Sequence, residues 1–429
     1  MRYFSTRDEN SERPATLSEA IVQGAAKDGG LYLPESIPTV AHRLFEGLSV
    51  DAIAERGLAG FFEGDALEDD LHEIAHDALS FPVPLNRLEE NLHVLELFHG
   101  PTAAFKDVGA RFLAACMQRI PMNGARRTIL VATSGDTGGA VAAAFYKRAG
   151  FDVIILFPDG RVSPLQAQQL SCWGENVRSF AVNGNFDDCQ RLVKEAFANH
   201  DLCSTLGLSS ANSINIGRLL PQIVYYLHAA NLLYEEEGGP PGFIVPSGNL
   251  GNATACAIAK QMGARIGPVV LACNANRTVP DYFAMQGWRP RSSVTTLASA
   301  MDVGNPSNME RLRALFSDEE ALRRELKAIA VSDEQISASI GFAFNSWGKA
   351  WCPHTATALY AYADMSDEVQ QERPWVVVAT AHAAKFAEVV EPIVGQNVEM
   401  PESLAALMDR PAHSEALEPD ISAFKRALS

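Results

Sequence analysis

The chain is short of positive charge: 35 lysines and arginines stand against 52 aspartates and glutamates, a net charge of −17. A surplus of that sign argues against nucleic acid or an anionic membrane surface as partner. An anionic substrate would have to be held by local positive groups that overcome the overall field. Long apolar runs are also missing. No uninterrupted stretch approaches the roughly 20 residues of a membrane span, and the start, Met1-Arg2-Tyr3-Phe4-Ser5-Thr6-Arg7-Asp8-Glu9, carries no apolar signal core. Cysteine is sparse and scattered, at positions 116, 172, 189, 203, 256, 273 and 352, without any short paired spacing. An odd, dispersed set reads as reduced, mostly buried thiols rather than a disulfide framework. Internal repeats and low-complexity segments are absent too. Together these absences point to a soluble cytoplasmic protein with no membrane or nucleic-acid partner, and they imply no obligate protein partner.

What is present is a chain of 429 residues, 47% apolar, too long for one ordinary core. Residues 1–95 read as a mixed, mainly helical N-terminal region, with a helical patch over Leu17 to Ala26 broken by Lys27-Asp28-Gly29-Gly30. From about residue 125 the pattern becomes strand, turn, helix, repeated. Expected strands are 128–133, 153–157, 177–182, 243–245, 269–271 and 375–379, with helices over 136–148, 187–197 and 253–262. Short, fully apolar strands alternating with helices predict an α/β protein with parallel sheets covered on both faces. Two groups of units suggest two such domains around a cleft, a smaller one over 96–230 and a larger one over 231–429, with approximate bounds that allow either domain to be discontinuous. The stretch 274–308 is poor in regular signals, and Ser317-Asp318-Glu319-Glu320 reads as a capping box.

Lys106 stands out chemically, in His99-Gly100-Pro101-Thr102-Ala103-Ala104-Phe105-Lys106-Asp107. A lysine among small and aromatic apolar neighbours is a candidate for a desolvated amine able to form a Schiff base. A second feature, Pro246-Ser247-Gly248-Asn249-Leu250-Gly251-Asn252, lies between a strand and a helix, where backbone N–H groups and the helix start suit a phosphate. An imine-forming amine with a phosphate cradle suggests pyridoxal 5'-phosphate. Ser134-Gly135-Asp136-Thr137-Gly138-Gly139 is another strand-to-helix turn, able to receive a substrate carboxylate if Asp136 caps the helix or faces away. Ser213, Asn215 and Arg218 form a polar loop, helix start and arginine suited to a second anion. Thr380 ends a strand where parallel sheets place ligands. Each also has an ordinary structural reading: a plain βα turn, a capped helix start, a capped helix with a structural arginine, and an isolated threonine. His72-Glu73-Ile74-Ala75-His76 has the spacing of a zinc peptidase helix, although a solvated helix face produces the same pattern.

In this order, the segments around Lys106, Ser134–Gly138, Asn212–Arg218, Gly248–Asn252, Pro353–Ala356 and Thr380–Phe386 resemble the threonine synthase family of fold-type II pyridoxal-phosphate enzymes, from the N-terminal region to about residue 390. The resemblance implies that Lys106 carries the cofactor and acts as base, and that Gly248, Asn249, Leu250, Gly251 and Asn252 cradle the cofactor phosphate. It implies Thr380 at the pyridine nitrogen, and Ser134, Asp136 and Thr137 lining the substrate carboxylate and ring. Ser213, Asn215 and Arg218 would hold the phosphate of O-phospho-L-homoserine, and no metal is implied. The expected activity is γ-elimination of phosphate and β-addition of water to give L-threonine. A phospho-lyase releasing 2-oxobutyrate would use the same motifs. Outside the class stand a zinc peptidase resting on His72, Glu73 and His76, and a catalytically silent binding protein.

Overall fold

The computed structural model describes residues 1–8, 12–41, 45–122, 124, 126–133 and 135–428. β1 (Tyr3–Ser5) and β2 (Tyr32–Pro34) form an antiparallel ribbon. β3 (Leu85–Glu89) and β4 (Leu92–Glu96) follow, then β5 (Arg127–Ala132), β6 (Phe151–Pro158), β7 (Val177–Val182) and β8 (Leu208–Ser209). The remaining strands are β9 (Gly242–Pro246), β10 (Val269–Cys273), β11 (Leu326–Ala330), β12 (Trp375–Ala379) and β13 (Glu415–Leu417). One sheet has the order β11-β10-β9-β12-β4-β3, parallel except for β3. The other has the order β13-β7-β6-β5-β8 and is parallel throughout.

The central strands β4, β9, β10 and β12 are buried along their whole length, because helices cover both faces and leave no solvent side to alternate with. The main core joins the helices Val50–Phe62, Lys106–Arg119, Gln222–Glu237 and Gly251–Gln261, and reaches both sheets through Ile129, Val131, Phe243 and Val245. Among the described residues no helix is long and apolar enough to cross a membrane.

The strands expected after residue 125 are present, with ends within two residues of expectation. The sheets, however, do not respect the expected divisions at about 95 and 230. β3 and all but the last residue of β4 come from the first 95 residues and complete the larger sheet, where Leu92 pairs with Trp375 and Glu96 with Ala379. β13 edges the smaller sheet against β7 from far along the chain. His93 and Glu96 interrupt the apolar run of β4, and β13 spans three residues, so neither strand announces itself. The helix expected over Leu17–Ala26 ends sooner, at Gln23, where Gly24 turns left-handed with φ +73.

The capping box expected at Ser317 does not form, and a single cap one residue later takes its place. Asp318 is the cap of the helix Glu319–Glu325, accepting from the Ala321 N–H at 2.8 Å, while the Ser317 hydroxyl donates to the Asp318 carboxylate. Asp318→Ala is therefore expected to lower the opening free energy of this helix by about 1 kcal/mol, and Ser317→Ala to change it by much less. Hydrogen exchange at the amides of residues 321–325 reads the difference.

Candidate active site

Lys106 is the first residue of the helix Lys106–Arg119, so its ammonium form faces the positive end of a helix dipole. The turn before it is tied to the end of β12. The Phe105 N–H donates to the Thr380 carbonyl (2.8 Å) and the His382 N–H to the Ala103 carbonyl (3.0 Å). The lysine and Thr380 thus share the carboxyl edge of the larger sheet, where α/β folds hold ligands. Ala103 is held at φ +52, a left-handed conformation that a residue with a side chain keeps only when its surroundings enforce it. Other residues of the run have structural reasons to be there. The buried Asp107 carboxylate accepts from the Thr102 N–H (2.8 Å) and hydroxyl (2.6 Å), and a Cβ on Gly100 would stand 2.6 Å from it. Burial pushes the Lys106 amine below the ordinary lysine value; Asp136 opposes this, and Lys385 and Arg218 add to it. A lowered amine has a larger neutral, nucleophilic fraction at any given pH than an ordinary lysine.

Asp136 opens the helix Asp136–Phe145 directly beyond β5. The fully buried Lys385 places Nζ 3.0 Å from its carboxylate and also donates to the Thr102 carbonyl (2.6 Å). Burial alone would raise the Asp136 carboxyl, but Lys385, Lys106 and His354 outweigh it and hold the group well below the usual carboxylate range. The repulsion Asp136 would exert on a substrate carboxylate is thus offset by an ammonium in contact with it. Gly135, at φ +145, lies under Gln166, whose side-chain nitrogen donates to Asp136 at 3.4 Å. Thr137 follows, part-buried, on the first turn. Ser134 lies outside the described residues.

His354 belongs to the same cluster. Its Nε2 accepts from the Ala300 N–H at 3.0 Å, which leaves the ring proton on Nδ1, and Nδ1 is buried without a partner. Burial pushes the ring down to about 4, with Asp136 opposing, so it is neutral at physiological pH. Neither His354 nor Lys385 receives a role from sequence reasoning. Their signal is a single ionisable residue inside otherwise small and apolar runs, Cys352-Pro353-His354 and Ala383-Ala384-Lys385-Phe386.

The Gly-Asn loop follows β9 and opens the helix Gly251–Gln261. Leu250 is left-handed at φ +64, and a Cβ on Gly248 would stand 2.7 Å from the Met301 Cα. Gly251 is roomier, with the Asn308 carboxamide 3.5 Å from the equivalent point. Asn252 accepts from the Tyr225 and Tyr226 hydroxyls through Oδ1, which orients an Nδ2 that is buried and unpartnered. A buried free donor at a helix start, beside a glycine that brings the backbone close, suits a phosphate.

Asn249 links this loop to a second one: its Nδ2 donates to the Ser213 Oγ (2.6 Å) and its Oδ1 accepts from the Ser307 N–H (2.6 Å). Beyond Ser213, Arg218 is buried, with Nη1 donating to the Ala211 carbonyl and Nε unpartnered. Burial pushes its guanidinium down to about 10, with Asp107 opposing, so it stays charged. Asn215 departs from the expected substrate contact. Its Nδ2 is spent on the Ile21 and Ser210 carbonyls (2.8 and 3.0 Å) and its Oδ1 on the Gly217 N–H (2.9 Å), leaving a capping residue that shapes the loop.

His72, Glu73 and His76 lie on the helix Leu71–Ala78, where the exposed histidines pair with Glu55 (2.9 Å) and Asp51 (3.2 Å) of the neighbouring helix. Among the described residues no group of three His, Cys, Asp or Glu side chains is placed to hold a metal ion. The spacing serves helix–helix pairing. The depressed amine, the orphan donor of Asn252 and the tight Gly248 turn instead fit an aldehyde that carries a phosphate, and the orphan donor of Arg218 suits a second anion.

Comparison with known proteins agrees with that fit. The model of pyridoxal-phosphate dependent enzymes matches residues 80–381, that of the threonine synthase N terminus residues 2–79, and that of the threonine synthase C-terminal region residues 355–428. The threonine synthase of Haemophilus influenzae is 40% identical over 97% of both chains, and that of Escherichia coli is 38% identical over 100% of this chain and 99% of its own. The crystal structure of the Escherichia coli threonine synthase superposes with a TM-score of 0.91 over 100% of this chain and 99% of that one. A structure of threonine synthase with bound pyridoxal phosphate from Brucella melitensis, 35% identical, gives 0.91 over 100% and 98%. The chain therefore belongs to the threonine synthase family of pyridoxal-phosphate dependent enzymes, and pyridoxal phosphate is its cofactor.

Proposed function

We propose that this protein converts O-phospho-L-homoserine and water to L-threonine and phosphate, with Lys106 as its catalytic residue. One observation carries the reading: two separate anion-ready loops, one ending in Asn252 and the other in Arg218, are joined by the 2.6 Å Asn249–Ser213 contact. One cofactor phosphate and one substrate phosphate account for two such loops; a cofactor alone needs one.

When bound, pyridoxal phosphate supplies the electron sink for chemistry at the substrate's α and β carbons. Gly248, Asn249, Leu250, Gly251 and Asn252 hold its phosphate, with the Asn252 Nδ2 as the free side-chain donor, and Thr380 offers a hydroxyl to its ring. Lys106, its amine lowered by burial, takes the proton from Cα and returns protons along the chain of the substrate. Arg218 and Ser213 bind the substrate phosphate and steady the charge that grows on it as the bond to Cγ breaks. Asn215 shapes that loop from behind. Asp136, neutralised by Lys385, and Thr137 leave room for the substrate carboxylate without a net repulsive charge. Ser134 is assigned to the same wall on the strength of the motif.

Incubation with O-phospho-L-homoserine, followed by phosphate assay and identification of the organic product, tests the assignment. Stoichiometric threonine, insensitive to chelator, is expected; 2-oxobutyrate in its place would move the protein to the lyase branch. Lys106→Ala is expected to lower turnover by on the order of a thousandfold or more and to remove the cofactor's covalent attachment, read by borohydride reduction and peptide mapping. Asp136→Asn removes the negative charge that supports protonated Lys106, so the amine should titrate at still lower pH. The same change leaves the Lys385 ammonium buried without its counter-charge, costing about 3–5 kcal/mol. The pH dependence of Lys106 labelling by an amine-directed reagent and a denaturant titration measure the two effects. A shift of the labelling profile to higher pH would contradict the electrostatic account.

A further inference from the structure

Arg311 has no exposed surface, and Glu310, the carboxylate that bears on it, gives both oxygens to Arg7 at 2.9 Å. Burying a guanidinium without a contacting counter-charge is costly, and folds retain one where its fork of donors does something a neutral side chain cannot. Here the fork reaches back to the nearby Asn308 and out to two segments distant in sequence. Nε donates to the Tyr32 carbonyl in β2 (3.1 Å), Nη1 to the Asn308 Oδ1 (2.8 Å) and Nη2 to the Ile214 carbonyl (2.6 Å). Asn308, also fully buried, passes the contact on, donating through Nδ2 to the Asn249 carbonyl at 3.0 Å and reaching the Ser213 carbonyl at 3.5 Å. Asn249 in turn donates to the Ser213 hydroxyl. The contacts close a ring, Arg311 to Asn308 to Asn249 to Ser213 and Ile214 and back to Arg311.

We propose that Arg311 is a positioning residue that sets the spacing between the cofactor-phosphate loop at 247–252 and the substrate-phosphate loop at 210–218. The proposal rests on the assignment of those loops made above. Burial pushes the guanidinium down to about 9, with Glu310 opposing, so it remains charged at neutral pH and adds positive potential behind both loops. A lysine in its place keeps a charge but cannot fork to Tyr32, Asn308 and Ile214 together.

The test compares Arg311→Lys and Arg311→Met with the wild-type holoenzyme, each well below its Tm. The measured quantities are the pyridoxal-phosphate dissociation constant by absorbance, KM and kcat for O-phospho-L-homoserine, the inhibition constant of inorganic phosphate, and Tm. Both variants are expected to raise KM and the phosphate inhibition constant about tenfold or more and to weaken cofactor binding alongside, with a small change in kcat and little rescue by lysine. Ligand constants within about twofold of wild type, with Tm alone lowered, would reduce Arg311 to an ordinary core residue and overturn the proposal. Should neither variant fold, Asn308→Ala cuts the same ring between Arg311 and Asn249 and is read in the same way. A wild-type protein that makes no threonine defeats the functional assignment instead, while the cofactor dissociation constants still report on Arg311.

Discussion

A reactive amine must be kept from water without being stranded among like charges, and the buried Asp136–Lys385 contact at 3.0 Å reconciles these demands. Lys106, Lys385, Arg218 and the unprotonated His354 crowd one region, where Asp136 acts on both lysines and the histidine and Asp107 acts on Arg218. Lys385 spends its charge on Asp136 and a donor on the Thr102 carbonyl. That carbonyl belongs to the turn that carries Lys106, so the electrostatic balance and the backbone path of the lysine are set by the same few atoms. Asp107, bonded to Thr102 from the other side, completes the support.

The sheet topology explains why these groups meet at all. Parallel strands direct their carboxyl ends one way, and β5, β9 and β12 each end in a turn that carries residues of the proposed site: Asp136, the Gly248–Asn252 loop and Thr380. Helices that start at such ends bring unpaired N–H groups with them. An acidic protein can hold phosphates on this plan because the attraction is local, made of helix starts and buried donors, and the low-polarity surroundings strengthen it over the field of the distant surface charge.

Much of this was legible in the residues. The apolar strands, the turns after β5 and β9 and the placement of Lys106 among Ala103, Ala104 and Phe105 follow from periodicity and local chemistry. What stayed hidden has physical causes. β4 buries a glutamate because Glu96 finds Asn86 and Lys349 besides the nearby His99, and a histidine whose Nε2 faces Glu237 at 3.3 Å, a partner far along the chain. Asn215 sits in a loop suited to an anion, yet its carboxamide is consumed by the Ile21 carbonyl, 194 residues away in sequence. The same distance conceals Arg311, which reads as one more charge on a short helix and proves to have no solvent exposure.

The sequence by itself determined the α/β class, the strand-turn-helix segments that carry the proposed anion loops and, through the order of its motifs, the family. Those properties are local: a strand followed by a glycine-bearing turn and a helix start makes an anion site wherever it folds. Tertiary structure alone decided which side chains remain free to bind and which are spent. That choice depends on whether a buried donor or charge finds a partner brought from another segment: Asn215 finds carbonyls, Asp136 finds Lys385, and Asn252 is left with a donor to give.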